Sequence, residues 1–148
     1  MVVQSVGVLF VSQSFIAGKL PSTFGKEMYA PPPHLNLIVL RSADLDRAAG
    51  FYQEMGLLFV RHSHDSGPEH YSSDVSGFVF ELYPLTPNSL PTTGTRIGFR
   101  VDSVDEIVPV LERLGAEVIV YPSDSEWGRR AVIRDLDGHT VELITAAE

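Results

Sequence analysis

Short apolar runs and one amphipathic stripe follow each other twice along the chain. Residues 37–41 (LIVLR) form a brief apolar run that predicts a buried strand. Ser42 or Asp44 then caps a helix running to about Met55, with Phe51, Tyr52 and Met55 as its apolar stripe and Gly56 as its stop. Residues 57–61, about 69–73, and 78–83 read as three strands separated by turns rich in Gly, Ser, Asp and Pro. The same order returns as a strand at 96–101, a helix at about 104–114, and strands near 117–121, 130–134 and 140–144. Pro109 falls early in the second helix, where a missing N–H is better tolerated. Residues 85–94, with Pro87, Pro91 and Gly94, fit a linker.

The residues themselves repeat. NLIVLRSADLDRAAGFYQEMG, from Asn36, aligns with TRIGFRVDSVDEIVPVLERLG, from Thr95, at a constant offset of 59. GFVFELYP, from Gly77, aligns with GHTVELIT, from Gly138, at an offset of 61. A unit too small to bury its own apolar face must pack against its copy. The pattern therefore predicts an α+β domain over residues 34–148, made of two tandem βαβββ modules: module one at about 35–84, the linker at 85–94, and module two at about 95–145. Function is expected on the surface the modules share. Residues 1–33 belong to neither copy and form an N-terminal extension or arm, ending in a proline-stiffened YAPPPH. Three readings stand for it: a flexible extension, a start placed upstream of Met28, or an arm whose apolar pieces (residues 6–11, with Phe15 and Ile16) pack on another subunit.

Composition removes several classes of function. A net charge of −8, with 11 Lys and Arg scattered singly, lacks the clustered cations that nucleic acid or an acidic membrane surface would need. With no cysteine, thiolate nucleophiles, disulfides and Cys-based metal sites are excluded. The apolar run at residues 6–11 is far shorter than the roughly 20 residues of a membrane span, and no cation precedes Lys19 as a charged leader would require. A cytoplasmic location is expected.

Because side chains alternate across a strand, the two copies assign faces independently. Ile38 and Leu40 match Ile97 and Phe99 and are expected under the helices. Leu37, Val39 and Arg41 then share the other face with Arg96, Gly98 and Arg100. In the closing strands, Phe78, Phe80 and Leu82, like Val141 and Leu143, take the helix side, which leaves Val79, Glu81 and Tyr83, with Thr140, Glu142 and Ile144, on the face of Arg96. A partly buried Glu81 or Glu142 needs a cation, a metal or hydrogen-bond donors, unless both carboxylates are simply solvated.

These residues resemble the vicinal oxygen chelate superfamily, which includes glyoxalase I, extradiol dioxygenases, and fosfomycin- and bleomycin-resistance proteins. The likeness runs from Leu35 to Thr145, through NLIVLRSADLDRAAGFYQEMGL, FVFELYP, IGFRVDSVDEI and IRDLDGHTVELI. The resemblance implies a cupped eight-stranded mixed sheet with helices outside, commonly a homodimer, with the site inside the cup. In metal-dependent members the ligands come from the opening and closing strands of each module. Here the closing-strand positions hold Glu81 and Glu142, and the opening-strand positions hold Leu37 and Arg96. Leucine has no donor atom and a guanidinium repels a divalent cation. Hence no cofactor is expected, and Arg96 is expected to replace the ion by binding one or both glutamates. A divalent metal held by Glu81, Glu142 and His70 is the fallback.

The remaining chemistry-bearing residues complete the expectation. His62, His64 and His70 cluster in RHSHDSGPEHY; His62 and His64 read as a solvated turn, while His70 is a candidate base or ligand. Trp127 in SEWGRR is read either as a rim over a ligand or as a loop anchor, and Arg129 or Arg130 as the partner of an anionic group. His139 and the DLDG at residues 135–138 read as loop and turn. The functional expectation is a small polar molecule bound in the cup by Arg96, Tyr83, Leu37, Trp127 and Arg129. Glu142, Glu81 and His70 are the catalytic candidates if the protein is a lyase or isomerase. A metal-dependent lyase, isomerase or dioxygenase, a resistance protein that sequesters a drug or metabolite, and an association scaffold are the alternatives.

Overall fold

The computed structural model describes residues 32–145, so the expectations for the apolar pieces of the N-terminal arm lie outside the described residues. Module one runs β1 (Leu37–Ser42), α1 (Leu45–Gln53), β2 (Val60–His62), β3 (His70–Val75) and β4 (Phe78–Pro84). Asp44 is the helix cap, its Oδ1 accepting the Arg47 N–H at 3.0 Å, while Ser42 Oγ accepts the Asp44 N–H at 3.1 Å and so braces the cap. The helix stops at Gln53, two residues before Met55, and Gly56 takes up the left-handed turn behind it with φ of 92°.

Module two repeats the order as β5 (Arg96–Arg100), α2 (Val104–Leu114), β6 (Glu117–Ser125), β7 (Gly128–Arg134) and β8 (Thr140–Thr145). Ser103 caps α2 by accepting the Glu106 N–H at 3.2 Å, and Gly115 ends it with φ of 111°. Pro109 sits at the middle of α2 rather than early in it, but on the exposed side, where water can satisfy the carbonyl it leaves unpaired. β6 runs past Tyr121 to Ser125 with two register shifts, a form open to an edge strand that carries Pro122.

The strands form two four-stranded mixed sheets, ordered β1-β4-β3-β2 and β5-β8-β7-β6, one from each module, which together supply the eight mixed strands and the two βαβββ units expected. In each, the opening strand runs parallel to the closing strand and the remaining pairs are antiparallel. The free edge of β1 is met by the linker: the Arg41 N–H donates to Thr92 Oγ1 at 2.8 Å. A linker hydroxyl thus takes a backbone donor that a neighbouring strand would otherwise use.

One apolar core serves both modules. Leu40, Phe51, Tyr52, Phe80 and Leu82 of module one join Val104, Val108, Leu111, Ile133, Val141 and Leu143 of module two. Phe99 carries the junction, its ring centroid 5.8 Å from Phe80 and 6.0 Å from Tyr52. A buried polar lock backs it. Tyr52 donates its hydroxyl to Asp135 Oδ2 at 2.7 Å, and His139 Nδ1 lies 2.8 Å from the same oxygen. Asp135 Oδ1 accepts the N–H groups of Asp137 and His139, and His139 Nε2 meets Thr92 Oγ1 at 2.7 Å. Burial pushes the Asp135 carboxyl up, but the hydrogen bonds from His139 and Tyr52 outweigh it and hold the group below its ordinary range. Burial, reinforced by the Asp135 charge, raises the Tyr52 phenol well above its ordinary value. His139 is therefore a buried member of the lock between modules, not the loop residue expected from its place in the DGH turn.

Candidate functional site

Register fixes which side chains leave the core. In module two, Gly98 lies opposite Glu142 across β5 and β8, and Val132 lies opposite Glu142 across β7 and β8. Arg130 stands opposite Ile144 on that same face. A groove of about 320 Å³ opens there, lined by Arg96, Gly98, Arg100, Glu142 and Ile144 together with Ile97 and Phe99. Gly98 presents no side chain beside Glu142, which leaves the carboxylate open to the groove; a Cβ there would meet Glu142 only at ordinary contact, 3.8 Å or more away.

Glu142 is held from two sides. Arg130 grips it as a fork, Nε to Oε1 at 2.8 Å and Nη2 to Oε2 at 3.2 Å, while Arg96 Nη2 donates to Oε2. The hydrogen bonds from Arg130, followed by those from Arg96, overcome desolvation and hold the carboxyl at about 2. Arg129 points the other way. Adjacent to Arg130 on β7, it faces the helix side, where it binds Asp105 at 2.8 and 2.9 Å and Asp124 at 3.1 Å. Of the two arginines left open by the sequence, Arg130 and not Arg129 binds Glu142. Trp127 is also displaced from the expected site: it is 56 % exposed in the β6–β7 turn and does not line the groove.

Module one carries a different constellation. Glu81, 9 % exposed, sits opposite Ser72 on β3 and Val39 on β1. His70 is stacked on Tyr83 at 4.1 Å and 16° between planes, and its Nε2 lies 3.7 Å from Glu81 Oε1. His62, directly across β2–β3 from His70, packs its ring 4.3 Å away, and His64 lies 4.9 Å from His62. Nδ1 and Nε2 of the histidines and the oxygens of Glu81 supply four ligand atoms within 4.8 Å of one another. The Arg41 guanidinium carbon also lies over the Tyr83 ring, 5.6 Å from its centroid. Desolvation and the Glu81 charge raise the Tyr83 phenol, with Arg41 opposing them. Leu37 is exposed beside Val79 and offers only apolar surface.

Of the one or both glutamates expected to bind Arg96, the structure brings only Glu142 to it. Arg96 binds Glu142 alone, and no hydrogen bond or ion pair joins Glu81 to Glu142 or to Arg96 among the described residues. The reason is positional: Arg96 lies beside β8 in one sheet, and Glu81 lies on β4 in the other. The fallback trio of Glu81, Glu142 and His70 is likewise not assembled, because His70 and Glu81 meet while Glu142 lies with the arginines. His62 is no solvated turn residue; it is half-buried, with Nε2 enclosed. The Arg130 fork and the His62–His64 partnership are what sequence reasoning missed. The only available signal was that antiparallel pairing of 60–62 with 70–72 brings His62 opposite His70.

A metal on the four positions implied by the resemblance does not fit. Leu37 has no donor, and the Arg96 guanidinium occupies Glu142. No helix is long and apolar enough to cross a membrane among the described residues.

Known proteins place this architecture. A lactoylglutathione lyase of Arabidopsis thaliana is 28 % identical over 119 residues, covering 72 % of this chain, and the chain spans only 42 % of that relative's length. An uncharacterised protein of Mycolicibacterium smegmatis is 28 % identical over 106 residues, covering 71 % of this chain and 87 % of its own. Among solved structures, TnmS3, an antibiotic binding protein from a Streptomyces species, superposes with a TM-score of 0.64 at 23 % identity, covering 80 % of this chain and all of its own. The family model described as the Glyoxalase/Bleomycin resistance protein/Dioxygenase superfamily matches residues 34–143, the whole of both modules up to the last strand, and the chain belongs to that superfamily.

Proposed function

We propose that the protein binds a small molecule carrying an acidic group in the groove of module two, acting as a binding protein of the glyoxalase and bleomycin-resistance type. The observation that carries this reading is Glu142 clamped between Arg96 and Arg130 beside the groove. Arg96 and Arg100 line the groove with Glu142 as its one acidic residue, and Arg130 binds that carboxylate as well, in a chain whose net charge is −8. That local excess of cation suits a carboxylate or phosphate ligand, while Gly98 and Ile144 give a flat apolar floor for its body. The antibiotic-binding character of TnmS3 supports the same class of activity.

Binding is favoured over proton-shuttle catalysis by the acidity of Glu142. A carboxyl held at about 2 is too weak a base to take a proton near neutral pH, where an effective catalytic group has a pKa close to the working pH. The arginine that would stabilise an enolate is also already committed to that carboxylate. A homodimer, which the family resemblance implies, belongs to the same proposal and is read by sedimentation. The binding test is calorimetry and thermal shift against a panel of planar carboxylates and phosphate esters. A ligand that raises the melting temperature of the parent protein should lose at least about tenfold in affinity in Arg100→Ala, a change of about 1.4 kcal/mol. Stabilisation by acidic ligands that is unchanged in Arg96→Ala and Arg100→Ala would rule the groove out.

A further inference from the structure

We infer that module one holds a divalent first-row transition ion on His62, His64, His70 and Glu81. The site is separate from the groove reading and uses only Glu81 of the four positions at which the superfamily resemblance places metal ligands.

Three features point there together. The first is convergence: one ligand atom from each of the four residues falls within 4.8 Å of the others. A tetrahedral ion with bonds of about 2.1 Å spaces its ligands about 3.4 Å apart, so side-chain adjustments on the order of 1 Å close the cluster. The second is an unspent lone pair. His70 is 1 % exposed, and its Nδ1 lies 3.1 Å from the Pro68 carbonyl oxygen. A carbonyl can only accept, so this contact places the proton on Nδ1 and leaves Nε2 as a bare donor atom. That Nε2 is buried without a hydrogen-bond partner and sits 3.7 Å from Glu81 Oε1, a carboxylate oxygen that is also an acceptor. Two electron-rich atoms facing one another in a buried place are reconciled by a cation between them. His62 Nε2 is enclosed and unpartnered in the same way.

The third feature is support behind the ligands. A ring N–H donated to a backbone carbonyl is the usual way a metal-binding imidazole is oriented, and Pro68 supplies it. Stacking on Tyr83, itself covered by Arg41, fixes the plane of His70. Three imidazoles and one carboxylate select zinc, cobalt, nickel or iron(II) over the oxygen-loving Mg²⁺ and Ca²⁺. His64 is the exposed ligand, so an ion enters from its side.

The test is titration of the chelator-treated full-length chain with Co²⁺ and Zn²⁺, followed by calorimetry and by the visible absorption of bound Co²⁺. One ion per chain is expected, with imidazole-type Co²⁺ spectra and no comparable uptake of Mg²⁺. His64→Ala, at an exposed position that leaves the fold intact by circular dichroism, should weaken binding at least about tenfold, and Glu81→Gln should do so too. Arg96→Ala should leave it unchanged, which separates this site from the groove. No saturable uptake by the folded parent, or uptake equal in parent, His64→Ala and Glu81→Gln, would overturn the assignment.

Discussion

Among single residues, Glu142 has the most distinctive electrostatics. Its carboxyl titrates at about 2 in the folded protein against an ordinary value of 4.5. A group depressed in this way stabilises the fold fully above about pH 4.5, and that contribution is lost as pH falls through about 2. Glu142→Gln should therefore be less stable than the parent at neutral pH, and the two should converge as the medium approaches pH 2. Urea denaturation at a series of pH values reads this directly, and a gap that stays constant across the series would remove the Arg96–Arg130 clamp as its source. Glu81 shares its repeat position and its strand pattern, but it has no such clamp, so equal residues in a duplicated sequence have acquired unequal chemistry.

Among elements, the helix ends show how tightly local sequence governs geometry. Gly115 closes α2 at φ of 111°, and a Cβ there would come within 3.1 Å of Arg47 Nη2 and 3.4 Å of Leu136 Cδ2. Gly115→Ala should cost about 1 to 2 kcal/mol from the left-handed backbone and the crowding together, measured by chemical denaturation. Gly56 has a similar φ of 92° but open space around it, so Gly56→Ala should pay only the backbone part and be the milder change. These endings were legible in the sequence because caps and glycine stops are local signals. The length of β6 was not, since its extension past Tyr121 depends on pairing with β7 and on two register shifts that leave no periodic mark.

For the whole molecule, the two modules are joined by Phe99 and by the lock of Tyr52, Asp135, His139 and Thr92. Unfolding should therefore be one transition, with the fluorescence of Trp127 in module two coinciding with far-ultraviolet dichroism from both modules. Separate transitions would show that the modules are independent. Asp135→Asn leaves Tyr52 and His139 without their charged acceptor in a buried place and should cost about 3 kcal/mol. The sequence showed Tyr52 as part of an apolar stripe and DLDG as a turn; that they meet across 83 positions is a fact of packing alone.

By itself, the sequence determined the duplicated βαβββ plan, the faces of the opening and closing strands, and the loss of metal-binding side chains at positions 37 and 96. All of these follow from period, spacing and residue chemistry, which a linear string contains. Only the tertiary structure decided that the strands divide into two sheets, that Arg130 and not Arg129 turns toward Glu142, and that three histidines gather on Glu81. Those outcomes depend on which strands become neighbours and on the register between them, and a one-residue change of register would send every side chain to the opposite face.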